Sequence, residues 1–364
     1  MSKNKNPILR AIGYGAIGAI WAVLLLLLAV IAASAAIYAD LRSPQEHFWT
    51  RGTGLEAIAR EMYLSYFRPG WQNQVSSVEY DPELVYVPRI GSSPFQGPEF
   101  NHVMTFDRTG LRHQKEVTTD GNDLIVVTGD SQAMGWGVAD DETFSSVLAE
   151  HYHLHTVNTA VSSYGTAREM LRLRRMGLLE KASMLIIQYC DNDIEENRAY
   201  LADPAGFIQK RNPRTLWESL GGYRQSSVSF PLVSRMVYQS LREKIQQGGV
   251  QKLIRQLMAS PEVTAPTGEL DDTSRPANEM AADFVAVLDH FPELNGKLIL
   301  VVEIDDWGRT TNFIPELKRL ASQRKILIPL SIPFQRVEFR RFDNHMNRAG
   351  HEKVAKIIFA GIPR

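Results

Sequence analysis

The chain has 364 residues, 44% of them hydrophobic and 22% charged, which is the balance of a globular protein large enough for one main domain and an accessory part. Its 40 basic and 41 acidic side chains leave a formal net charge of -1, so no overall field draws it to nucleic acid or to an anionic surface, and a nucleic-acid role is excluded. A single cysteine, Cys190, rules out an internal disulfide, so the fold must be held by its core.

In chain order, the first feature is an uncharged apolar run over 11–39, centred on Trp21 to Val30, long enough as a helix to cross a hydrocarbon core of about 30 Å. Lys3, Lys5 and Arg10 precede it and Asp40, Arg42 and Glu46 follow it. The bias of basic residues therefore predicts a cytoplasmic tail over 1–10, a transmembrane helix over 11–39 in the inner (cytoplasmic) membrane, and an extracytoplasmic, periplasmic remainder. Ala33, Ser34 and Ala35 have the small residues of a signal-peptide cleavage site, but the apolar run is longer than the ~7–15 residues of such a segment, which favours a retained anchor.

Residues 40–122 read as an N-terminal extension packed on the main domain: helical spacing over 56–66, then short extended pieces over 80–112 punctuated by Pro82, Pro88, Pro94 and Pro98. From residue 123 to the end, β-branched and apolar runs alternate with amphipathic stretches. Strands are predicted over 124–128, 156–160, 184–189, 297–304 and 325–332, with helices near 143–151, 167–180, 278–290, 314–324 and 348–359. This is the pattern of an α/β fold, a flavodoxin-like three-layer α/β/α arrangement of a mostly parallel five-stranded sheet. A helical insertion over about 196–275 interrupts it, with helices near 234–247 and 251–258 and a loop rich in Pro, Thr and Asp over 260–276.

The chemistry-bearing residues fall at predicted strand ends, where an open α/β sheet keeps its active site. Ser131 ends the run from Leu124 through Gly129 and Asp130, at a strand-to-helix turn that exposes a hydroxyl beside main-chain N–H groups able to face a developing anion. Taken alone the turn is equally a helix cap by Asp130 or Ser131. Near the other end, Asp343 stands two residues before His345. Nucleophile, base and orienting carboxylate are the three parts an activated serine needs. Asp343 and Asn347 also suit the N-cap of the last helix, and His351 is assigned to packing or to that helix's surface.

Asn192, after the third strand, is a candidate oxyanion donor or a turn-capping Asn. The neighbouring Asp191, Asp193, Glu195 and Glu196 lack the glycine and distal glutamate of a calcium loop. His151, His153 and His155 alternate, and on a strand they would share a face and reach a metal, but they read better as an exposed approach to the second strand. The reading calls for no metal and no cofactor.

In order and spacing these fragments resemble the SGNH or GDSL-type serine hydrolases. Gly129 to Val138, Val157 to Gly165, Tyr189 to Asp193 and Asp343 to His351 are similar to the family's four blocks, from about Asp123 to the end and excluding the insertion. The resemblance implies Ser131, His345 and Asp343 as catalytic residues and the Ser131 and Ser163 N–H groups with the Asn192 amide as oxyanion and substrate-binding donors. Two positions depart from the pattern: Ser163 and Cys190 stand where the family usually has glycine, and Ser163 would be strained if its φ is positive.

The Asp-x-His spacing, together with the stretch from Phe106 to Arg112, is similar to membrane-attached members that modify bacterial exopolysaccharides. It implies an acylated carbohydrate as substrate and an envelope polysaccharide assembly as partner. The expected activity is thus a membrane-anchored serine esterase that removes O-acyl groups, in the first place O-acetyl, through an acyl-enzyme. The alternatives are an O-acyltransferase using the same Ser, His and Asp, and a catalytically silent carbohydrate-binding or scaffold subunit.

Overall fold

The computed structural model describes residues 7–42, 49–74, 76–115, 123–210, 213–222, 228–258, 277–308, 311–321 and 327–363. The expected loop over 260–276 lies outside them, as do the C-terminal end of the fourth predicted helix and the start of the fifth predicted strand.

In chain order the elements are helices α1 (Pro7–Arg42) and α2 (Leu55–Met62), strands β1 (Val78–Asp81), β2 (Val85–Pro88), β3 (Gly91–Gly97), β4 (Phe100–Phe106) and β5 (Ile125–Thr128), then α3 (Ser131–Met134), α4 (Phe144–Tyr152), β6 (Thr156–Asn158), α5 (Thr166–Arg175), α6 (Leu178–Lys181) and β7 (Met184–Tyr189). They continue with α7 (Asp193–Ala202), α8 (Phe207–Lys210), α9 (Pro213–Gly222), α10 (Phe230–Met258), α11 (Ala277–Asp289), β8 (Leu298–Glu303), α12 (Phe313–Ala321), β9 (Leu327–Leu330) and α13 (Arg348–Gly361).

Two compact units result: Met1–Phe67 with Ser226–Glu262, and Arg68–Gln225 with Val263–Arg364. The expected extension over 40–122 is thus divided at Phe67. In the first unit α1 begins at Pro7, inside the stretch expected as a tail, and Ala16–Arg42 is long and apolar enough to cross a membrane. Ile20, Trp21 and Leu24 through Leu28 stand exposed along it. Its end is tied down by the Asp40 carboxylate, which accepts from the Trp49 and Thr50 N–H groups at 2.8 and 2.9 Å and from the Thr50 hydroxyl at 2.7 Å. The two helices expected over 234–247 and 251–258 are one run, α10, interrupted at Gly249 where φ is 74°.

The second unit is built on a parallel sheet of order β6-β5-β7-β8-β9, the flavodoxin-like order. Successive side chains of a strand point to opposite faces, and here both faces are covered. Ile125, Val127, Met184, Ile186, Leu300 and Val302 enter one core with residues of α4 and α13; Val126, Leu185, Ile187, Ile299 and Val301 enter a second with residues of α5, α11 and α12. That double burial is why the strands read as unbroken apolar runs. The hairpins β1/β2 and β3/β4 are antiparallel and add Tyr86, Phe95, Phe100 and Phe106 to the first core, and Trp71, in the turn before β1, joins them. Arg112, with its side chain fully buried, stitches them to the sheet: its N–H donates to the Asn158 carbonyl at 3.0 Å, its Nη2 to the Val138 carbonyl at 3.0 Å, and it pairs with Asp140.

Some elements differ from expectation. The helix expected over 167–180 is broken into α5 and α6 because Gly177 turns left-handed, with φ 65°, a common helix stop. The second strand ends at Asn158, whose side chain leaves the ladder to donate to the Ala133 carbonyl. The three alternating histidines share no strand face, since His151 lies in α4 and His153 caps that helix with φ 55°.

His351 is buried between α13 and α4, and its Nδ1 accepts from the Phe144 N–H at 3.1 Å. Burial, with Arg340 and Arg112 nearby, pushes its pKa down to about 3. The folded protein therefore holds His351 neutral while the unfolded chain protonates it below about pH 6.5, so its contribution to stability is present at neutral pH and is lost as pH falls from about 6.5 towards 3. Between pH 7 and pH 5 the loss should be about 2 kcal/mol. Urea unfolding of the detergent-solubilised protein and of His351→Asn should show a pH dependence shallower by that amount in the variant, and identical slopes would contradict the assignment.

Candidate active site

The turn after β5 needs a glycine. At Gly129 φ is 149°, and a Cβ there would sit 2.6 Å from the Gln188 Oε1 and 2.8 Å from the Ala133 Cβ. The close approach lets the Gln188 side-chain oxygen accept from both the Asp130 and the Ala133 N–H, at 3.0 and 3.2 Å, while its Nε2 donates to the Ile304 carbonyl. Gln188 is fully buried near the end of an otherwise apolar strand, and that lone amide in the run from Met184 to Tyr189 is the sequence signal that marks it. Asp130 caps α3 by accepting from the Gln132 N–H at 2.8 Å, so the capping interpretation of the turn also holds. Ser131 is consequently the first residue of α3, where no intrahelical carbonyl reaches its N–H.

His345 comes from the loop before α13. Its Nε2 lies 2.7 Å from the Ser131 Oγ, and its Nδ1 lies 2.5 Å from the Asp343 Oδ1. All three side chains are buried; Ser131, the least so, keeps 8% of its surface exposed. The capping role weighed for Asp343 falls to Asn347, whose side chain accepts from the Gly350 N–H.

Four residues not assigned from sequence hold this loop in place. The Trp136 indole stacks on the His345 ring, with centroids 4.6 Å apart and planes within 10°, and its Nε1 donates to the second Asp343 oxygen at 3.1 Å. Gln132 clamps the loop from α3, accepting from the Met346 N–H and donating to the Asn344 carbonyl. The Glu99 carboxylate accepts from three successive N–H groups, those of Arg341, Phe342 and Asp343. Burial raises the Glu99 pKa, and these N–H groups with Arg340 partly offset that effect. Arg68 donates to the Asn344 side chain at 3.1 Å, its guanidinium 5.0 Å from the Trp136 ring centre. Gln132 and Trp136 lie inside the Ser131 motif, but nothing in their spacing reveals that they reach a loop more than 200 residues away.

The remaining candidates, Asn192 and Ser163, are held by partners outside the triad. The Asn192 Nδ2 donates to the second carboxylate oxygen of the capping Asp130 at 3.0 Å, which ties the amide to the residue before Ser131. Ser163 is exposed and has φ 61°, the strained left-handed conformation that favours glycine. It is held by Gln72, which donates to its hydroxyl, and by Arg168, which donates to its carbonyl.

Cys190 is buried and donates its thiol to Asp305 at 3.0 Å; burial first, then Asp305, pushes its pKa up. Among the described residues Cys190, Asp191 and Asp305 are one group close enough to share a cation, but a thiol held protonated is a poor ligand. The acidic run is dispersed instead of gathered. Asp193 accepts from Thr166, and Glu196 pairs with Arg168 and accepts from the Gly165 N–H.

No family model matches the chain, and no curated protein matches it. Among solved structures it is similar to the psychrotrophic esterase EstA from a Pseudoalteromonas species, at 10% identity and TM-score 0.37 over 66% of this chain and 96% of that one. It is also similar to the lipase Lip_vut3 from a goat rumen metagenome, at 12% identity and TM-score 0.36 over 66% and 97%. A third is a candidate lipolytic protein of the G-D-S-L family from Desulfitobacterium hafniense DCB-2, at 12% identity and TM-score 0.36 over 66% and 100%. At these identities and scores the likenesses do not bear on the site, and its chemistry rests on its own geometry.

Because Gly129 combines a positive φ with contacts under 3 Å, Gly129→Ala should lower stability by about 2–4 kcal/mol and distort the Ser131 turn. A thermal shift within a degree of the parent protein would show that the turn tolerates a side chain.

Proposed function

We propose that this protein is a serine esterase of the SGNH or GDSL type, anchored in the cytoplasmic membrane by α1, that removes O-acyl groups from a carbohydrate, in the first place O-acetyl. The observation that carries the reading is the continuous hydrogen-bonded run from the Asp343 carboxylate through His345 to the Ser131 hydroxyl, at 2.5 and 2.7 Å. Those distances suit a base that takes a proton from a nucleophile and is itself oriented by an anion.

In this mechanism the Ser131 Oγ attacks the ester carbonyl carbon while its proton passes to the His345 Nε2. Asp343, fixed by Trp136 and by its own loop, holds the imidazole in the tautomer with Nδ1 protonated and steadies the imidazolium that forms. The carbonyl oxygen becomes an oxyanion facing the Ser131 N–H and the Asn192 amide, with the Ser163 N–H as third donor. The tetrahedral intermediate collapses as the leaving alcohol takes the proton from His345. Water, deprotonated by the same imidazole, then attacks the acyl-enzyme and releases the free acid. The carbohydrate substrate is carried over from the Asp-x-His spacing discussed above. The extracytoplasmic placement is supported by the length and exposure of α1 and by Lys3, Lys5 and Arg10 lying before it.

Ser131→Ala should abolish both labelling by a fluorophosphonate probe and hydrolysis of 4-nitrophenyl acetate, while Asn192→Ala should still label and lose about 10²–10³-fold in turnover. Full activity in Ser131→Ala would overturn the mechanism. Offering an oligosaccharide acceptor in the same assay tests for transfer, since acyl groups on the sugar in place of free acid would reassign the enzyme as a transferase.

A further inference from the structure

Against Trp136 and the loop that carries His345 stands one more arginine. Arg68 is half-buried, spreads its guanidinium over the Trp136 ring that stacks on His345, and donates through Nη1 to the side chain of Asn344, the residue next to His345. A guanidinium carries five N–H donors, and only one of these contacts is a hydrogen bond. Among the described residues no carboxylate pairs with it. The other arginines of this region are spent differently: Arg336 donates to the Arg340 and Arg341 carbonyls, and Arg340 to the Glu99 and Gly137 carbonyls, which holds the His345 loop together. Arg112 and Arg168 are buried against Asp140 and Glu196.

A fixed cation against the loop that carries the base repels cationic substrates and gains most from an anion that arrives with the substrate. Stacking on Trp136 and the bond to Asn344 restrict the guanidinium before anything binds, so little rotamer freedom remains to be lost. A carboxylate matches its planar fork with two parallel hydrogen bonds and one opposite charge.

We infer that Arg68 is a specificity-determining residue that binds a carboxylate on the sugar bearing the ester, so that the substrate class is an acylated acidic saccharide. This inference rests on the ester-hydrolysing reading above and adds the charge of the substrate. Its discriminating pair is methyl 2-O-acetyl-glucuronoside and methyl 2-O-acetyl-glucoside, which differ only in a carboxylate against a hydroxymethyl group. The full-length protein in detergent should favour the glucuronoside about tenfold in kcat/KM, chiefly through KM. Arg68→Gln should bring the ratio of the two close to one, Arg68→Lys should keep part of it, and added salt should erode it in the parent protein alone. A parent ratio near one, a ratio unchanged in Arg68→Gln, or turnover of neither sugar overturns the inference. In each of those cases, Ser131-dependent hydrolysis of 4-nitrophenyl acetate leaves the esterase reading standing, and its loss removes that reading as well.

Discussion

Everything at this site depends on holding the imidazole of His345 against the Ser131 hydroxyl, although the two residues are 214 apart in the chain. Neither partner sits on a rigid element by itself: α3 is a single turn and the His345 loop is irregular. The rigidity comes from bonds that cross between them. Gln132 fastens the loop to α3, Trp136 covers the imidazole and donates to its carboxylate, and Glu99 gathers three N–H groups of the loop onto one carboxylate. In the proposed mechanism, geometry assembled during folding need not be assembled again at each turnover, which is how positioned groups lower a barrier.

The same logic runs behind the nucleophile. Gln188, fully buried, satisfies two N–H groups of the turn with one oxygen, and Asp130 uses one oxygen to cap α3 and the other to orient Asn192. Farther in, Glu169 and Asp193 are buried, and desolvation together with the acidic groups around them raises both pKa values well above normal. Beside them the buried Arg168 and Glu196 form an ion pair that neutralises itself.

Much of the architecture was legible because burial leaves a mark on composition. Strands covered on both faces must be apolar throughout, and the runs ending at Thr128 and Tyr189 appear where expected. Ser131, Asp343 and His345 were recognisable because each falls at a strand end or loop with the residue types an activated serine needs. Boundaries were less readable where one residue's backbone angle decides them, as at Gly177 and Gly249. The division of 40–122 at Phe67 was not readable, because grouping depends on contacts with 226–262, far along the chain.

By itself, then, the sequence determined the element types, the α/β class and the identity of the candidate nucleophile, base and carboxylate, since hydrophobic period and local turn chemistry are properties of neighbouring residues. Only the tertiary structure decided which side chains support them. Trp136, Gln132, Glu99, Gln188 and Arg68 act across long separations, and a tryptophan or glutamine that packs in a core has the same local pattern as one that orients a histidine. The conformation of Ser163 belongs to the same class: its position could be named from the chain, but its positive φ is imposed by the loop around it.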